Sequence, residues 1–497
     1  MNYKKPSSLL KLTIKSLLRD ENLAISSLRS LPGELFPSLF EEAYFERCWN
    51  ILKALVQSWP FARLPLGDLR EYPADEALKA LLDGIDVLLQ QEVLPRCKLR
   101  VLDLHFNGEK FWSVWTGVDD TVHSVRRQLV ADGPSRNEKG RPSMEVCADL
   151  ILSQCQDNHF CTYILKWIKK RKGVHLCCKK VTIYSLNREN VKLLQSISLC
   201  DVEELDINWI WTTPEPQKLW PFLGRMKNLR RLCLNINILD AIPSNELENQ
   251  DHPITEFRSE FLHLLYLQQL YLESVSFLQG HLEKLLRSLQ TQLEVFSLID
   301  CTVTERDLAH LFQSPHIRQL KELCLRGIPL TSVSEPLGAL LEVNAATLQD
   351  LDLSLCGLQD PQLEALLPAL SICSQLRSLN LHGNRLSMAI LEKLLHCTTG
   401  LQHLCLQLFP APLESSNPQG VPQSWVLDLL CTQISNILQH LGYSRSIMMS
   451  SCHCSHCARK EFRNWEPTFI PCSHLYETHY GELKAIVIPF RIIRSGI

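Results

Sequence analysis

The sequence carries almost no excess charge and little glycine. Lys and Arg together number 51 and Asp and Glu 54, so the net charge is −3 over 497 residues. Proteins that bind nucleic acid mainly through its phosphates are far more basic, which argues against direct nucleic-acid binding. Glycine accounts for only 19 residues, and low glycine combined with abundant leucine argues against an all-β sandwich.

Long apolar runs and catalytic signatures are also missing. No stretch of 18 consecutive apolar residues occurs, so no membrane span is expected. The segment after Met1 mixes leucine with lysine and arginine, unlike the apolar core of a secretory signal. The 20 cysteines should therefore be mostly reduced thiols, as in the cytoplasm or the nucleus. No Walker A, HExxH or GxSxG motif is present, so we expect no catalytic residues and no enzyme.

Leucine is the residue in excess, at about 90 positions or close to 18% of the chain. It recurs in the pattern L-x-x-L-x-L-x-x-(N/C), which is typical of the leucine-rich repeat. The second apolar position of the pattern falls at residues 205, 232, 270, 296, 323, 351, 379 and 404. All spacings but one lie between 25 and 28 residues; the exception, 38, indicates an insertion at residues 245–252.

Each copy of the repeat should form a short strand followed by a helix, because apolar residues then return at i, i+3 and i+4. The sequence predicts an α/β fold, a leucine-rich-repeat horseshoe (solenoid) with an N-terminal helical module. We place the helical module at 1–98, the repeats at 99–410 with a polar loop at 131–142, and a C-terminal cap with a Cys/His-rich stretch at 411–497. Within the module, helices are predicted at 9–18, 21–28, 36–59 and 74–89.

Motifs spread over nearly the whole chain carry a family resemblance. They include Leu31-Pro-Gly-Glu-Leu-Phe-Pro-Ser-Leu-Phe40, Gly84-Ile-Asp-Val-Leu-Leu-Gln-Gln-Glu-Val93, Leu99-Arg-Val-Leu-Asp-Leu104 and Leu363-Glu-Ala-Leu-Leu-Pro-Ala-Leu370. From about residue 8 to residue 475 the sequence resembles the PRAME family (preferentially expressed antigen of melanoma and its relatives).

This resemblance implies a non-catalytic substrate-recognition subunit of a cullin-2 RING ubiquitin ligase. The implied partners are elongin B/C, cullin-2, a RING-box protein and a protein target, with effects on transcription, proliferation, apoptosis and differentiation. The alternative is a ligase-independent transcriptional corepressor scaffold in retinoic acid receptor signalling, with a nuclear receptor as partner. LxxLL segments, which dock as helices into receptor grooves, occur at 78–82, 282–286, 337–341, 363–367 and 391–395. The last four lie on repeat helices, where core packing is the stronger interpretation.

Two short motifs near the N-terminus fit the implied ligase contacts. An elongin-binding box has the form (Ser/Thr/Pro)-Leu-x-x-x-Cys, and here Leu9 and Thr13 match it, with threonine in the cysteine position. A cullin-2 box has the form φ-P-x-x-φ-x-x-x-φ, where φ is an apolar residue. Its candidates, about 20 residues after the elongin motif, are Leu31, Pro32, Leu35 and Leu39. For both motifs, ordinary helix packing is the competing explanation.

The C-terminal stretch contains a possible metal site. Cys454 and Cys457 have zinc-knuckle spacing, and Cys472 with His474 could complete a tetrahedral set. The one-residue gap in the second pair is unusual, and reduced surface thiols are the favoured alternative. We therefore expect no cofactor, with a structural zinc ion as the open possibility.

The target should bind the concave face of the repeats. Leucines of each strand point into the core, so the intervening residues face the opposite side of the sheet. Acidic residues are concentrated in two of these strands, and a tyrosine between them could anchor a partner. We therefore predict a basic target segment. The candidates are Glu204, Asp206, Tyr271, Glu273, Asp350, Asp352, Asn380 and His382.

Overall fold

The computed structural model describes residues 9–66, 75–90, 97–105, 144–153, 159–171, 173–211, 219–238, 259–275, 278–415, 424–442, 447–450 and 486–487. The chain divides into two compact units, the first Met1–Val202 and the second Glu203–Ile497. The predicted polar loop 131–142 and the predicted zinc ligands Cys454, Cys457, Cys472 and His474 lie outside the described residues. The division into segments 1–98, 99–410 and 411–497 stays a prediction.

The helices of the first unit follow the apolar periodicity of its sequence. They are α1 (Leu9–Leu18), α2 (Glu21–Ser27), α3 (Phe36–Phe45), α4 (Trp49–Gln57), α5 (Asp75–Gln90), α6 (His159–Lys169) and α7 (Arg188–Leu194). The prediction of one helix over 36–59 is wrong, because the helix is interrupted between α3 and α4. Arg47 adopts a φ of 58° there, a left-handed conformation that cannot continue a right-handed helix.

The helical part of the first unit packs around Trp59, whose side chain has no exposed surface. Its indole ring meets Phe36 and Phe40 edge-on, with ring centroids 6.1 Å and 5.5 Å away. The indole N–H donates to the backbone carbonyl of Arg63 at 3.0 Å, so the polar atom of this buried ring is satisfied. The aromatic contacts therefore connect α3 with the chain that leads into the first strand.

The first unit also contains parallel strands. They are β1 (Arg63–Pro65), β2 (Val101–Asp103), β3 (Met144–Cys147), β4 (Leu150–Leu152), β5 (Val174–Cys177) and β6 (Lys180–Ile183). One sheet has the order β1-β2-β3-β5, and β4 pairs in parallel with β6. In the four-stranded sheet, Asp103 lies beside Cys147 and Cys147 beside Cys177.

The second unit repeats a strand and a helix along the chain. Its strands are β7 (Glu204–Trp211), β8 (Arg231–Ile238), β9 (Gln269–Glu273), β10 (Val295–Ile299), β11 (Glu322–Cys324), β12 (Asp350–Asp352), β13 (Ser378–Asn380), β14 (Leu406–Pro410), β15 (Ile447–Ser450) and β16 (Ile486–Val487). Each strand from β7 to β15 pairs in parallel with the next, and β16 runs antiparallel to β15. The helices are α8 (Trp220–Leu223), α9 (Leu282–Leu286), α10 (Glu305–Gln313), α11 (Ser334–Val343), α12 (Asp360–Ile372), α13 (Met388–Thr398) and α14 (Ser424–His440). The predicted mixed α/β class is confirmed, and the horseshoe curvature stays a prediction.

The register of this ladder follows the leucine pattern until its last copy. Residues 205, 232, 270, 296, 323, 351 and 379 are paired successively across the sheet, as the repeat predicts. The predicted last copy at Leu404 is wrong, because Leu379 pairs with Gln407 instead. The backbone N–H groups of Cys405 and Leu406 both donate to the Arg377 carbonyl. These bonds keep the spacing at 28 residues and place buried Gln407 at the leucine position.

The Asn or Cys that ends the repeat motif at residues 301, 356 and 384 binds the backbone of the preceding repeat. Buried Asn384 accepts from the N–H groups of Cys356 and Leu358 and donates to the carbonyls of Leu353 and Leu381. The first three of these partners belong to the preceding repeat. The asparagine therefore joins adjacent repeats in addition to stabilising its own turn.

Candidate functional site

Helix α1 carries both residues of the predicted elongin-binding box on its exposed side. Leu9 is 83% exposed, and Thr13 is exposed one turn later. Ile14 and Leu18 are buried in the core of the first unit. The Thr13 hydroxyl donates to the carbonyl of Leu9 at 2.8 Å, so it can enter an interface without losing its hydrogen bond.

Lysine contacts hold α1 against α3. The Lys15 ammonium lies 2.9 Å from the Glu42 carboxylate and 3.0 Å from that of Glu46, and Lys11 lies 3.6 Å from Glu42. A hydrogen bond to Glu42 is the main cause of a raised pKa for Lys15. Glu42 is buried at 8% exposure, so these ion pairs hold the Lys11 and Lys15 side of α1 against α3.

The predicted cullin-2 box is divided between surface and core. Pro32 is exposed and precedes a single 3₁₀ turn, Gly33–Leu35, in which Leu35 is half-buried. Leu31 is also half-buried and packs against the core. Leu39 is only 1% exposed, so we remove it from the set available to a cullin. Packing in the core of the first unit, rather than a partner, accounts for this leucine.

The LxxLL leucines are core residues. In all five segments the leucines are buried, except Leu367, which is half-buried. A receptor groove needs these side chains exposed on one helical face. Docking of these segments would therefore require the helices to leave the core.

The first acidic part of the predicted target surface is partly neutralised by one arginine. The guanidinium of Arg231 lies 3.4 Å from the Glu204 carboxylate and 3.9 Å from that of Asp206. The same group stacks 5.0 Å from the centre of the Tyr271 ring, and burial raises the pKa of this tyrosine to about 12. Further along the ladder, Glu273 accepts a hydrogen bond from Asn235 at 3.0 Å.

The carboxylates of the second acidic part accept hydrogen bonds from neutral side chains. Asp350 accepts from the Ser378 hydroxyl at 2.7 Å, and Asp352 accepts from the Asn380 amide at 2.9 Å. Neither carboxylate forms an ion pair within 4.0 Å with a residue that the structure describes. His382 lies two residues after the end of β13 and is buried. It therefore offers a target almost no surface, and we remove it from the predicted target-binding residues.

Glu322 lies directly beside Asp350 in the ladder. Burial is the main reason that its pKa rises to about 7; Asp350 and Asp352 add to the effect, and Arg231 opposes it. A proton on Glu322 therefore reduces repulsion at the centre of this surface. The sequence shows the three acids but not the depth of their burial.

Replacing Glu322 with glutamine should abolish a pH-dependent loss of stability. A carboxyl with a folded-state pKa of about 7 and an ordinary value of 4.5 binds more protons when folded between these values, so wild-type stability falls as pH rises through this window. The free energy of unfolding of Glu322→Gln, taken relative to that of wild type, should increase by about 1–2 kcal/mol from about pH 5 to about pH 8. Urea unfolding at both pH values measures the difference. Exposed Glu342→Gln is the control, and a wild-type pH profile in Glu322→Gln would contradict the assignment.

A cluster of reactive side chains that no sequence motif indicated lies in the first unit. The carboxylate of Glu145 and the thiols of Cys147 and Cys177 have ligand atoms all within 4.8 Å of one another. We call these three residues the thiol cluster. Burial is the main cause that raises the pKa of Cys147 to about 12 and also raises the pKa of Cys177. Two cysteines 30 residues apart on short strands gave no motif that spacing rules detect.

Among the described helices, none combines the length and the apolar character that crossing a bilayer would require.

Comparisons with known proteins agree with the resemblance seen in the sequence. Residues 6–112 match the model of the PRAME N-terminal domain, and residues 144–472 match that of the PRAME C-terminal domain. Human PRAME family member 7 is 43% identical over 478 residues, which cover 95% of this chain and 100% of that protein. Human PRAME family member 12 is 42% identical over 473 residues, covering 94% of this chain and 97% of that protein.

Proposed function

Because the chain belongs to the PRAME family, we propose that it is a non-catalytic substrate-recognition subunit of a cullin-2 RING ubiquitin ligase. In this role the first unit binds elongin B/C and cullin-2, and a RING-box protein completes the ligase. The repeats, curved into a horseshoe, hold the protein target. The observation that carries the proposal is the exposed Leu9 on a helix whose opposite face is anchored in the core.

The exposed side of α1 suits elongin C. Leu9, Leu12 and Thr13 are exposed and lie on one side of the helix at i, i+3 and i+4. Burying one leucine contributes about 1.5–3 kcal/mol, and the small Thr13 permits close approach of a partner helix. Since Ile14 and Leu18 already form the core face, docking requires no unfolding of α1.

Cullin-2 would contact the adjoining turn. The exposed Pro32 and the accessible parts of Leu31 and Leu35 form its contact residues in this proposal. The turn precedes α3, which Lys15 of α1 contacts through Glu42 and Glu46. Elongin and cullin would thus bind neighbouring parts of one helical module.

The target surface is proposed to centre on Asp350 and Asp352. Their carboxylates accept hydrogen bonds from the neutral side chains of Ser378 and Asn380. Arg377 acts on Asp350 only from beyond ion-pair distance, so both carboxylates remain available to lysine or arginine side chains. The guanidinium of Arg231 weakens the negative potential of Glu204 and Asp206 at this surface. A target with basic residues would associate faster at low salt, because exposed charges are screened as ionic strength rises.

The decisive experiment is affinity purification of the full chain from cells followed by quantitative proteomics. Leu9→Ala with Thr13→Arg should lower elongin C recovery by at least about tenfold, because it removes the apolar contact and places a charged side chain in the interface. Cullin-2 should be lost with it, whereas Pro32→Ala should lower cullin-2 and retain elongin C. Target proteins held by the acidic surface should be released first in a high-salt wash.

A matched control is available on the neighbouring helix. Leu23→Ala with Ser26→Arg makes a similar pair of changes, a lost leucine and an added arginine, at exposed positions of α2 and should leave elongin recovery unchanged. Equal elongin recovery from both folded double variants would refute the proposed box. If the intact chain captures no cullin at all but still captures transcriptional regulators, the corepressor alternative replaces the ligase proposal.

A further inference from the structure

We propose that the thiol cluster, Glu145, Cys147 and Cys177, binds a zinc ion in the first unit. The three side chains come from neighbouring parallel strands: Cys147 of β3 lies directly beside Cys177 of β5, and Glu145 precedes Cys147 by two residues on the same side of β3. Two sulfur ligands and one carboxylate are a donor set that zinc accepts, whereas magnesium and calcium prefer oxygen alone.

The distances suit a tetrahedral ion. At zinc–sulfur bonds of about 2.3 Å, two ligands of a tetrahedral site are separated by about 3.8 Å. The ligand atoms of the thiol cluster lie within 4.8 Å of one another without an ion, so movements of about an ångström complete the geometry. Changes of side-chain torsion can supply such movements without displacing the strands.

The backbone around the thiol cluster is already fixed. Hydrogen bonds run from the Leu104 N–H to the Cys147 carbonyl at 2.8 Å and from the Ala148 N–H to the Cys177 carbonyl at 3.1 Å. Cys147 is buried, whereas Glu145 and Cys177 are partly exposed. A cation therefore has access from solvent to a site held on rigid strands, as stable metal sites require.

The surrounding charge is compatible with a dication. Two thiolates and the Glu145 carboxylate would leave one negative charge on the zinc complex. Lys179 acts on Cys177 and offsets part of this charge. Arg63 acts on Cys147 and Glu145, but its guanidinium is paired with Asp103 at 2.7 Å. The nearby acids are Asp103 and Asp201. Without a cation, burial keeps the two thiols protonated, and zinc binding would release their protons.

The fourth ligand position has one candidate side chain, which lies outside the group of three whose ligand atoms are within 4.8 Å of one another. His175 lies opposite Glu145 in the β3–β5 register and two residues before Cys177, on the side of the sheet that carries the cluster. Its side chain is exposed, so it either turns toward the ion or leaves this position to water. Three protein ligands with water still bind zinc, as catalytic zinc sites do.

Metal content of the full chain tests the proposal. Protein expressed with added zinc and purified in a phosphine reductant should lose about one equivalent of zinc when Cys147→Ser and Cys177→Ser are combined. Cys48→Ser with Cys97→Ser is the control, since it removes two half-buried cysteines of the same unit and should retain the ion. The difference between these variants is the readout, because Cys454, Cys457, Cys472 and His474 could hold a second ion.

Substitution with cobalt(II) tests metal binding by the thiols of the wild-type chain. Cobalt(II) bound at the thiol cluster should show the ultraviolet absorption of a sulfur-to-cobalt charge transfer, and Glu145→Gln should weaken cobalt binding while it retains both thiols. If the double serine variant fails to fold, zinc protection of Cys177 from maleimide in wild type decides the question. Unchanged zinc content in the serine variant, or equal modification of Cys177 with and without zinc, would overturn the proposal.

Discussion

Alanine at Asn384 is expected to destabilise the second unit by about 4 kcal/mol, as measured by urea unfolding. The asparagine is 2% exposed. Its carbonyl accepts from the N–H groups of Cys356 and Leu358 at 3.2 Å and 3.0 Å, and its amide donates to the carbonyls of Leu353 and Leu381, each at 2.8 Å. Alanine leaves these backbone groups unpaired, and each unpaired buried group costs about 1–3 kcal/mol.

A neighbouring asparagine provides the control. The side chain of Asn380 is half-buried and its amide donates to Asp352 at 2.9 Å, so Asn380→Ala should cost about 1 kcal/mol. Asn384→Asp tests the mechanism further, because it keeps both accepting bonds and loses both donating ones. An Asn384→Ala variant no less stable than Asn380→Ala would show that the inter-repeat bonds contribute little.

Alanine at Trp59 should destabilise the first unit by about 3–5 kcal/mol, the usual cost of removing a buried tryptophan. The ring has no exposed surface and contacts Phe36, Phe40 and Phe61 edge-on. Its removal leaves a cavity between these rings and deletes the hydrogen bond to the Arg63 carbonyl. Hydrogen exchange measured by mass spectrometry should report faster opening of α3 and α4.

Two variants separate cavity formation from a general effect of losing tryptophan. Trp49→Ala removes a half-buried ring whose indole N–H donates to Glu76 at 3.1 Å, and it should cost about 1 kcal/mol. Trp59→Phe should recover a large part of the lost stability, because it refills most of the cavity. Equal protection of α3 in Trp59→Ala and Trp49→Ala would contradict the central position of Trp59.

The candidate interfaces illustrate what a sequence pattern can and cannot supply. Periodicity identified α1 and its end at Leu18, and the repeat pattern identified which strand residues point away from the leucine side of the sheet. Neither pattern predicted which of these residues remain accessible to a partner. His382 and Leu39 are buried whereas Pro32 and Leu9 are exposed, because accessibility depends on neighbouring elements.

The leucine spacing by itself determined the mixed α/β class and the register from Leu205 to Leu379. A copy of about 28 residues can bury its leucines only against the next copy. Equivalent positions one repeat apart are therefore expected to pair across the sheet. Family membership also followed from the sequence, since its motifs extend over nearly the whole chain.

Only the tertiary structure decided the features that depend on contacts between elements. The turn at Arg47 divides a continuous apolar pattern into two helices, and backbone hydrogen bonds place Gln407 where the pattern favoured Leu404. The thiol cluster arises in the same way, because parallel pairing brings Cys147 beside Cys177. Periodicity reports which face of one element is apolar, whereas register and backbone hydrogen bonding decide which residues of different elements meet.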